Sequence, residues 1–306
     1  MLKKLIIKLA VFFALLIIVD LILGAVIRKI YFGQNHGGAY RITYVLEQAT
    51  PDIMILGSSR AAHHYIPTMM QDSLGLTCYN AGRDGSFISY ANAEVNSILK
   101  RYSPKTIILD ILDDEFEVRS YNIEDRVSSL LPYYKTHPEI REIVDLKSPL
   151  EKYKLLSNLY TFNALLLQSI TGAVDLKNRK EEEKNLGYIA VHEKWEGEMG
   201  ITDSHNEKLD STKIKALKNI MAACNEKKVA LVIVVSPAFK KYNQHYNPTV
   251  ALVNEIAGSS KIPFWNYLQD TTYLNHSKLF MDVRHLNHDG AKIFTADIIK
   301  RLKAVN

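Results

Sequence analysis

Cysteine is nearly absent, with only Cys78 and Cys224 in 306 residues. That excludes a disulfide-stapled mini-fold. The two also lack the C-x-x-C spacing of zinc or dithiol sites, so both read as buried free thiols. Glycine and proline are sparse at 14 and 9, too few for a collagen-like or low-complexity chain. No charge of one sign dominates, since 38 Lys and Arg are scattered among 33 Asp and Glu for a net +5. Without a long basic run interleaved with aromatics, the electrostatic footprint of a nucleic-acid binder is missing. What remains is an ordinary globular composition, 47% hydrophobic and 23% charged, long enough for a sizeable core and for about two domains.

One segment departs from that average. Leu5 to Ile27 is apolar except for Lys8, Asp20 and small residues, close to the length of a bilayer-crossing helix. From Leu9 to Ile27, about 14 Leu, Ile, Val and Phe residues at roughly −0.3 to −0.6 kcal/mol each outweigh the ~3 kcal/mol charged to Asp20. A cleaved signal peptide is the rival. No good small-x-small site follows Leu9–Val19, and Leu23-Gly24-Ala25 is a poor one, so an uncleaved single-pass anchor over 1–30 is expected. Lys3, Lys4 and Lys8 before the helix against Arg28 and Lys29 after it give a slight bias toward an extracytoplasmic body. Asp20 reads either as an intramembrane partner-binding carboxylate or as a lone acid that reaches water.

Residues 31–50 read as a juxtamembrane connector, and the body runs from 51 to 306. Asp52–Gly57, Leu76–Asn80, Thr106–Ile111, Val229–Val235 and Ile262–Trp265 are short apolar runs of the kind buried on both faces of a parallel sheet. Helix-period segments at Tyr90–Tyr102, Lys208–Lys227 and Ala291–Ala304 alternate with them. The expectation is an α/β fold, a three-layer α/β/α sandwich with a central parallel sheet, preceded by one transmembrane helix. Residues 117–211 are too long for one crossover and read as an insertion. Helical pieces are expected at Ile123–Leu131 and Leu150–Ile170, and a solvated charged stretch around Lys180–Lys184.

In open α/β sheets, ligands gather at the carboxyl ends of the strands. Gly57-Ser58-Ser59-Arg60 follows the first strand. The glycine permits a tight turn, and a helix starting there aims N–H groups at an anion near the Ser59 hydroxyl; the plainer reading is a serine helix cap. A serine nucleophile needs a base that a third group orients. Asp282 and His285, three apart, fit that need on one helical turn, just before the last helix. After the second strand, Asn80-Ala81-Gly82-Arg83-Asp84-Gly85 offers the Gly82 N–H to an oxyanion, or is simply a glycine turn.

Taken together, G-S-S-R, N-A-G-x-x-G and D-x-x-H-L-N-x-x-G resemble the SGNH/GDSL hydrolase superfamily, whose fold is flavodoxin-like. With the anchor, they are similar to its envelope members related to the D-alanyl transfer protein of teichoic acids and the alginate O-acetylation proteins. The resemblance covers Asp52 to the C-terminus without the insertion. It implies Ser59 as nucleophile, His285 as base, Asp282 as its orienter, and Gly82 with the Ser59 backbone as oxyanion hole. It departs at Ile111-Leu112-Asp113-Asp114, where the superfamily's G-x-N-D block has an asparagine. An acid there would repel an oxyanion unless protonated or turned away; Asn80 or Arg83 are candidates to compensate, and Asp113 itself is a candidate substrate-binding residue.

His63-His64, one turn after Ser59, reads as shaping an acyl or sugar pocket, or as a surface or packing pair whose adjacent rings point in different directions on a helix. Arg60 reads as a substrate-anion ligand or as an ion-pair partner of Asp110, Asp113 or Asp114. A zinc site of Asp282, His285 and His288 is disfavoured because its ligands drift around a helix, and no cofactor is expected. The expected activity is esterase or acyltransferase chemistry on an acylated glycan of the cell envelope, with acetyl as the first candidate group and a membrane acyl-donor protein as a candidate partner. The alternatives are a non-catalytic anchored glycan-binding or polysaccharide-assembly module, supported by Asp113, and a lipase-like role.

Overall fold

The computed structural model describes residues 1–118, 124–163, 165, 184–202, 208–242 and 246–305. The chain divides into two compact units, residues 1–43 with 127–179 and residues 44–126 with 180–306.

The first unit is helical. Helix α1, Leu2–Phe32, is long and apolar enough to cross a membrane, with a mean hydropathy of 2.9 in its most apolar window. It is followed by α2, Gly37–Thr43. In this unit Tyr31 and Phe32 pack their rings on Tyr133, and the Thr43 hydroxyl meets the Tyr133 hydroxyl at 2.6 Å. The segment beyond residue 127 is mostly 3₁₀ turns, with short helices α6, Arg141–Asp145, and α7, Glu151–Lys154. The expected helix over Leu150–Ile170 is broken by turns up to residue 163. Its later part and most of the charged stretch around Lys180–Lys184 lie outside the described residues.

The second unit is built on five strands, β1 (Ile53–Gly57), β2 (Cys78–Asn80), β3 (Thr106–Asp110), β5 (Ala230–Val235) and β7 (Phe264–Asn266). They form one sheet in the order β2-β1-β3-β5-β7, all neighbours parallel. A small separate ladder joins β4, Gly200–Thr202, to β6, Lys240–Tyr242. Alternation of side chains explains the uninterrupted apolar runs. Met54, Leu56, Ile107, Leu109, Leu231 and Ile233 face one helical layer, and Ile53, Ile55, Ile108, Val232 and Val234 face the other.

Helices α5 (Ile88–Arg101), α8 (Ser211–Glu226) and α9 (Pro248–Ser259) cover the first face. The second face is covered by α3 (Ser59–His64), α4 (Pro67–Leu74) and α11 (His288–Val305); the short α10, Thr271–Leu274, adds Tyr273. Chain direction reverses across β1, so right-handed crossovers must place α3 and α4 opposite α5. This three-layer α/β/α arrangement has its switch point between β1 and β3, where such sheets open a crevice beyond the strand ends. An antiparallel bridge between Glu117 and Leu209 brings the two ends of the long excursion together. Both cysteines are free and buried.

Candidate active site

The first strand ends in a backbone turn that only glycine adopts without strain. Gly57 has φ +145°, and a Cβ there would lie 2.4 Å from the Asp110 carbonyl oxygen. Ser58 then caps α3, its hydroxyl accepting from the Arg60 N–H at 3.4 Å. The capping role considered for both serines thus falls to Ser58. Ser59 opens the helix, partly exposed, at the carboxyl end of β1.

The Ser59 hydroxyl meets His285 Nε2 at 2.7 Å. The opposite ring nitrogen, Nδ1, lies 2.9 and 3.0 Å from the two Asp282 carboxylate oxygens. A carboxylate only accepts, so Nδ1 carries the proton and Nε2 presents a lone pair to Ser59. Burial works against the Asp282 charge, but the His285 ring and the N–H groups of Arg284 and His285 hold its pKa down to about 2. Asp282 and His285 do not share a helical turn. They sit in a bend closed by the Phe280–Leu286 bridge, where Asp282 Oδ1 accepts from Arg284 N at 2.6 Å and His285 N at 2.9 Å. The short aspartate side chain mimics a backbone turn and so fixes itself under the imidazole.

Gly82 lies where the second strand gives way to a loop, and its fit against α3 is tight. A Cβ there would come within 2.3 Å of the Ala62 nitrogen. Its N–H, expected to face an oxyanion, is donated at 2.9 Å to Asn80 Oδ1. The Asn80 Nδ2 in turn donates to the carbonyls of Ala61 and Tyr65 at 2.7 and 3.0 Å. Asn80 is fully buried, and these three hydrogen bonds hold the turn.

Of the two readings open for Arg60, the structure shows the ion pair: Arg60 and Asp113 are buried, at 1% and 2% exposure, and paired with each other through Arg60 Nη2 and Asp113 Oδ1. Tyr242 donates to Asp113 Oδ2 at 2.7 Å, and Lys240 lies 3.8 Å away. Burial works to raise the Asp113 pKa, but the charges of Arg60 and Lys240 and the Tyr242 hydrogen bond hold it below the usual carboxylate range. The Asp113 charge is therefore met from within the fold by Arg60. His63 packs edge-on to the His285 ring at 5.7 Å between centroids, with Nδ1 2.9 Å from the Ile189 carbonyl. Arg83 is half-exposed, its guanidinium 5.8 Å from the centre of the Tyr90 ring.

For His64, the sequence leaves a pocket role and a surface or packing role open, and the structure shows packing. Fully buried, His64 accepts the Leu286 N–H at Nε2 (2.9 Å) and meets Ser236 Oγ at Nδ1 (3.0 Å). Burial, with His285 and Arg60 nearby, pushes its pKa well below the ordinary value, so the ring is neutral with its proton on Nδ1. The link to Leu286 ties α3 to the residue next to His285. A strap of residues 188–195 adds to this frame: Ile189 N bonds Ala62 O at 2.9 Å, Trp195 N bonds Phe280 O at 2.7 Å, and Val191 O accepts from His288 N at 2.6 Å. No sequence signal marks that strap.

His288 turns to the Tyr188 hydroxyl at 3.0 Å. Among the described residues, no group of three His, Cys, Asp or Glu side chains is arranged to hold a metal ion. A cavity of about 680 Å³ lined by Lys218, Met221, Glu255 and Ile262 lies near the amino ends of β5 and β7, away from Ser59.

No family model matches the chain, and no curated protein matches it. Among solved structures it is similar to a protein from Bacteroides fragilis NCTC 9343 described as a "putative acylhydrolase", at 10% identity over 86% of this chain and 94% of that one, with a TM-score of 0.41. A likeness that distant decides neither fold nor reaction.

Proposed function

We propose that this chain is a membrane-anchored serine acyl hydrolase or acyltransferase of SGNH type. The observation that carries the reading is the 2.7 Å contact between Ser59 Oγ and a His285 Nε2 whose ring is oriented by Asp282. His285 takes the hydroxyl proton as Ser59 Oγ bonds to the ester carbonyl carbon. The imidazolium then gives that proton to the departing alcohol as the old C–O bond breaks. Water, or an acceptor hydroxyl, repeats the sequence on the acyl-enzyme and restores Ser59.

The oxyanion would take the Ser59 N–H, which in the first turn of α3 has no intrahelical acceptor. Gly82 adds a second donor only by sharing or releasing its bond to Asn80. The substrate class this suggests is an O-acyl ester, acetyl first, on an envelope or extracellular glycan. The support for that is the anchor, the slight positive bias before it, and the resemblance of the three motifs. A non-catalytic module loses its main support, because Arg60 neutralises Asp113.

A fluorophosphonate probe tests the mechanism. Labelling of the folded chain is expected at Ser59 and is lost in Ser59→Ala and His285→Ala, together with hydrolysis of a chromogenic acetyl ester. Hydrolysis unchanged in either variant overturns the proposal.

A further inference from the structure

The carboxylate of Asp20, which interrupts the apolar run of α1, takes four hydrogen bonds from one short segment of its own unit. Oδ1 accepts from the Ser157 hydroxyl at 2.5 Å and Leu159 N at 3.1 Å, and Oδ2 from Asn158 N at 2.8 Å and Asn158 Nδ2 at 3.3 Å. One turn on, Gly24 lets Asn158 approach so closely that a Cβ would lie 2.3 Å from the Asn158 Cβ. Residues 157–159 are therefore clamped beside residues 20–24 of the helix.

The apolar surface of α1 does not stop at that level. Leu21, Ile22, Leu23, Val26 and Ile30 are all exposed. At 1.5 Å rise per residue, Val26 lies about 9 Å beyond Asp20 along the axis. An apolar layer that ended at Asp20 would leave these side chains in water. Just before the clamp, the segment carries its own exposed apolar side chains: Leu146 (53% exposed), Leu150 (59%), Tyr153 (59%) and Leu156 (75%). Lys152 lies 5.1 Å from the Tyr153 ring centre, the pairing of aromatic and long cation that suits the headgroup level.

We infer that residues 146–159 form a second membrane contact, lying in the bilayer interface beside α1 with Leu150 and Leu156 in the acyl-chain region and Tyr153 at the headgroup level. The occupant is lipid because the continuous exposed apolar surface of α1 surrounds the level at which this segment is held. The clamp also accounts for Asp20, whose charge is met by donors that the interfacial segment brings to it. The inference rests on α1 being the membrane anchor.

The test uses the full chain in phosphatidylcholine vesicles, with an environment-sensitive dye on Leu150→Cys or Leu156→Cys and, separately, on Phe12→Cys in mid-span. The unsubstituted chain, with buried Cys78 and Cys224, gives the blank. Lipid carrying a doxyl group near the glycerol end of its acyl chain should remove roughly half the fluorescence at 150 and 156, as expected for insertion of about 5–10 Å. Aqueous iodide should have little effect. Iodide quenching like that of the free dye, or protection from both quenchers as beneath a protein partner, overturns the inference. If Phe12 is not quenched by deep-doxyl lipid, the anchor fails and the inference with it. Neither outcome touches the Ser59 chemistry, which the fluorophosphonate probe reads separately.

Discussion

Replacing His64 with phenylalanine removes the acceptor of the Leu286 N–H while keeping a flat ring of similar size. Leu286 is fully buried, so its N–H is left without a partner at a cost of about 1–3 kcal/mol. Because Leu286 follows His285, the same change frees the imidazole from its seat opposite Ser59. A shift of about 1 Å there lowers the rate by about 10²-fold. The expected result is a fall of that order in fluorophosphonate labelling and in kcat for an acetyl ester, with KM little changed. His64→Gln, which keeps an acceptor oxygen, should recover part of the loss.

Stability against pH gives an independent reading of the same residue. The pKa of His64 is depressed by burial in the folded state, so below about 6.5 the unfolded chain binds a proton that the folded one refuses. The parent therefore loses up to about 1.4 kcal/mol per pH unit from this ring as pH falls, and His64→Phe does not. Buried Asp110 and Glu115 act in the opposite sense. Desolvation raises both to about 7, so they add stability as pH drops below that value. They are present in both proteins, so the difference between two melting series from pH 7.5 to 5 isolates His64. Labelling unaffected by His64→Phe, with parallel pH slopes, would refute its role as a positioning residue.

Asp282→Asn keeps an oxygen for the N–H groups of Arg284 and His285, but offers an amide to His285 Nδ1. Steady-state assays should show kcat lower by about 10²–10⁴-fold and a thermal midpoint nearly unchanged. Asp113→Asn leaves Arg60 buried without its counter-charge. Urea titration should register a loss of about 3–5 kcal/mol, most of it recovered when both positions are made apolar together.

The layers of the fold were legible because a strand buried on both faces must be apolar throughout, as Ile53–Gly57 and Thr106–Asp110 are. The shorter strands were less so. Cys78–Asn80 and Phe264–Asn266 pair over only three residues, fewer or later than the apolar runs suggested. Ser59, Asp282 and His285 could be singled out from the glycine turn, the need of a serine for an oriented base and the resemblance of the motifs, although a bend joins Asp282 and His285 where a helical turn was expected. The parts that join distant positions could not, because spacing carries no record of them. His64 meets a backbone N–H 222 residues away, and Asp113 finds its counter-charge at Arg60, beside Ser59. Asp20 was open between two readings until its partners at 157–159 were known.

The joined charges of Arg60 and Asp113 also constrain ancestry. With asparagine at position 113, nothing electrostatic would dictate the residue at position 60. In this chain, an intermediate that altered either position alone would carry a stranded ion in the interior, so the two should be inherited as a unit. Among relatives of this chain the residues at positions 60 and 113 should therefore change together.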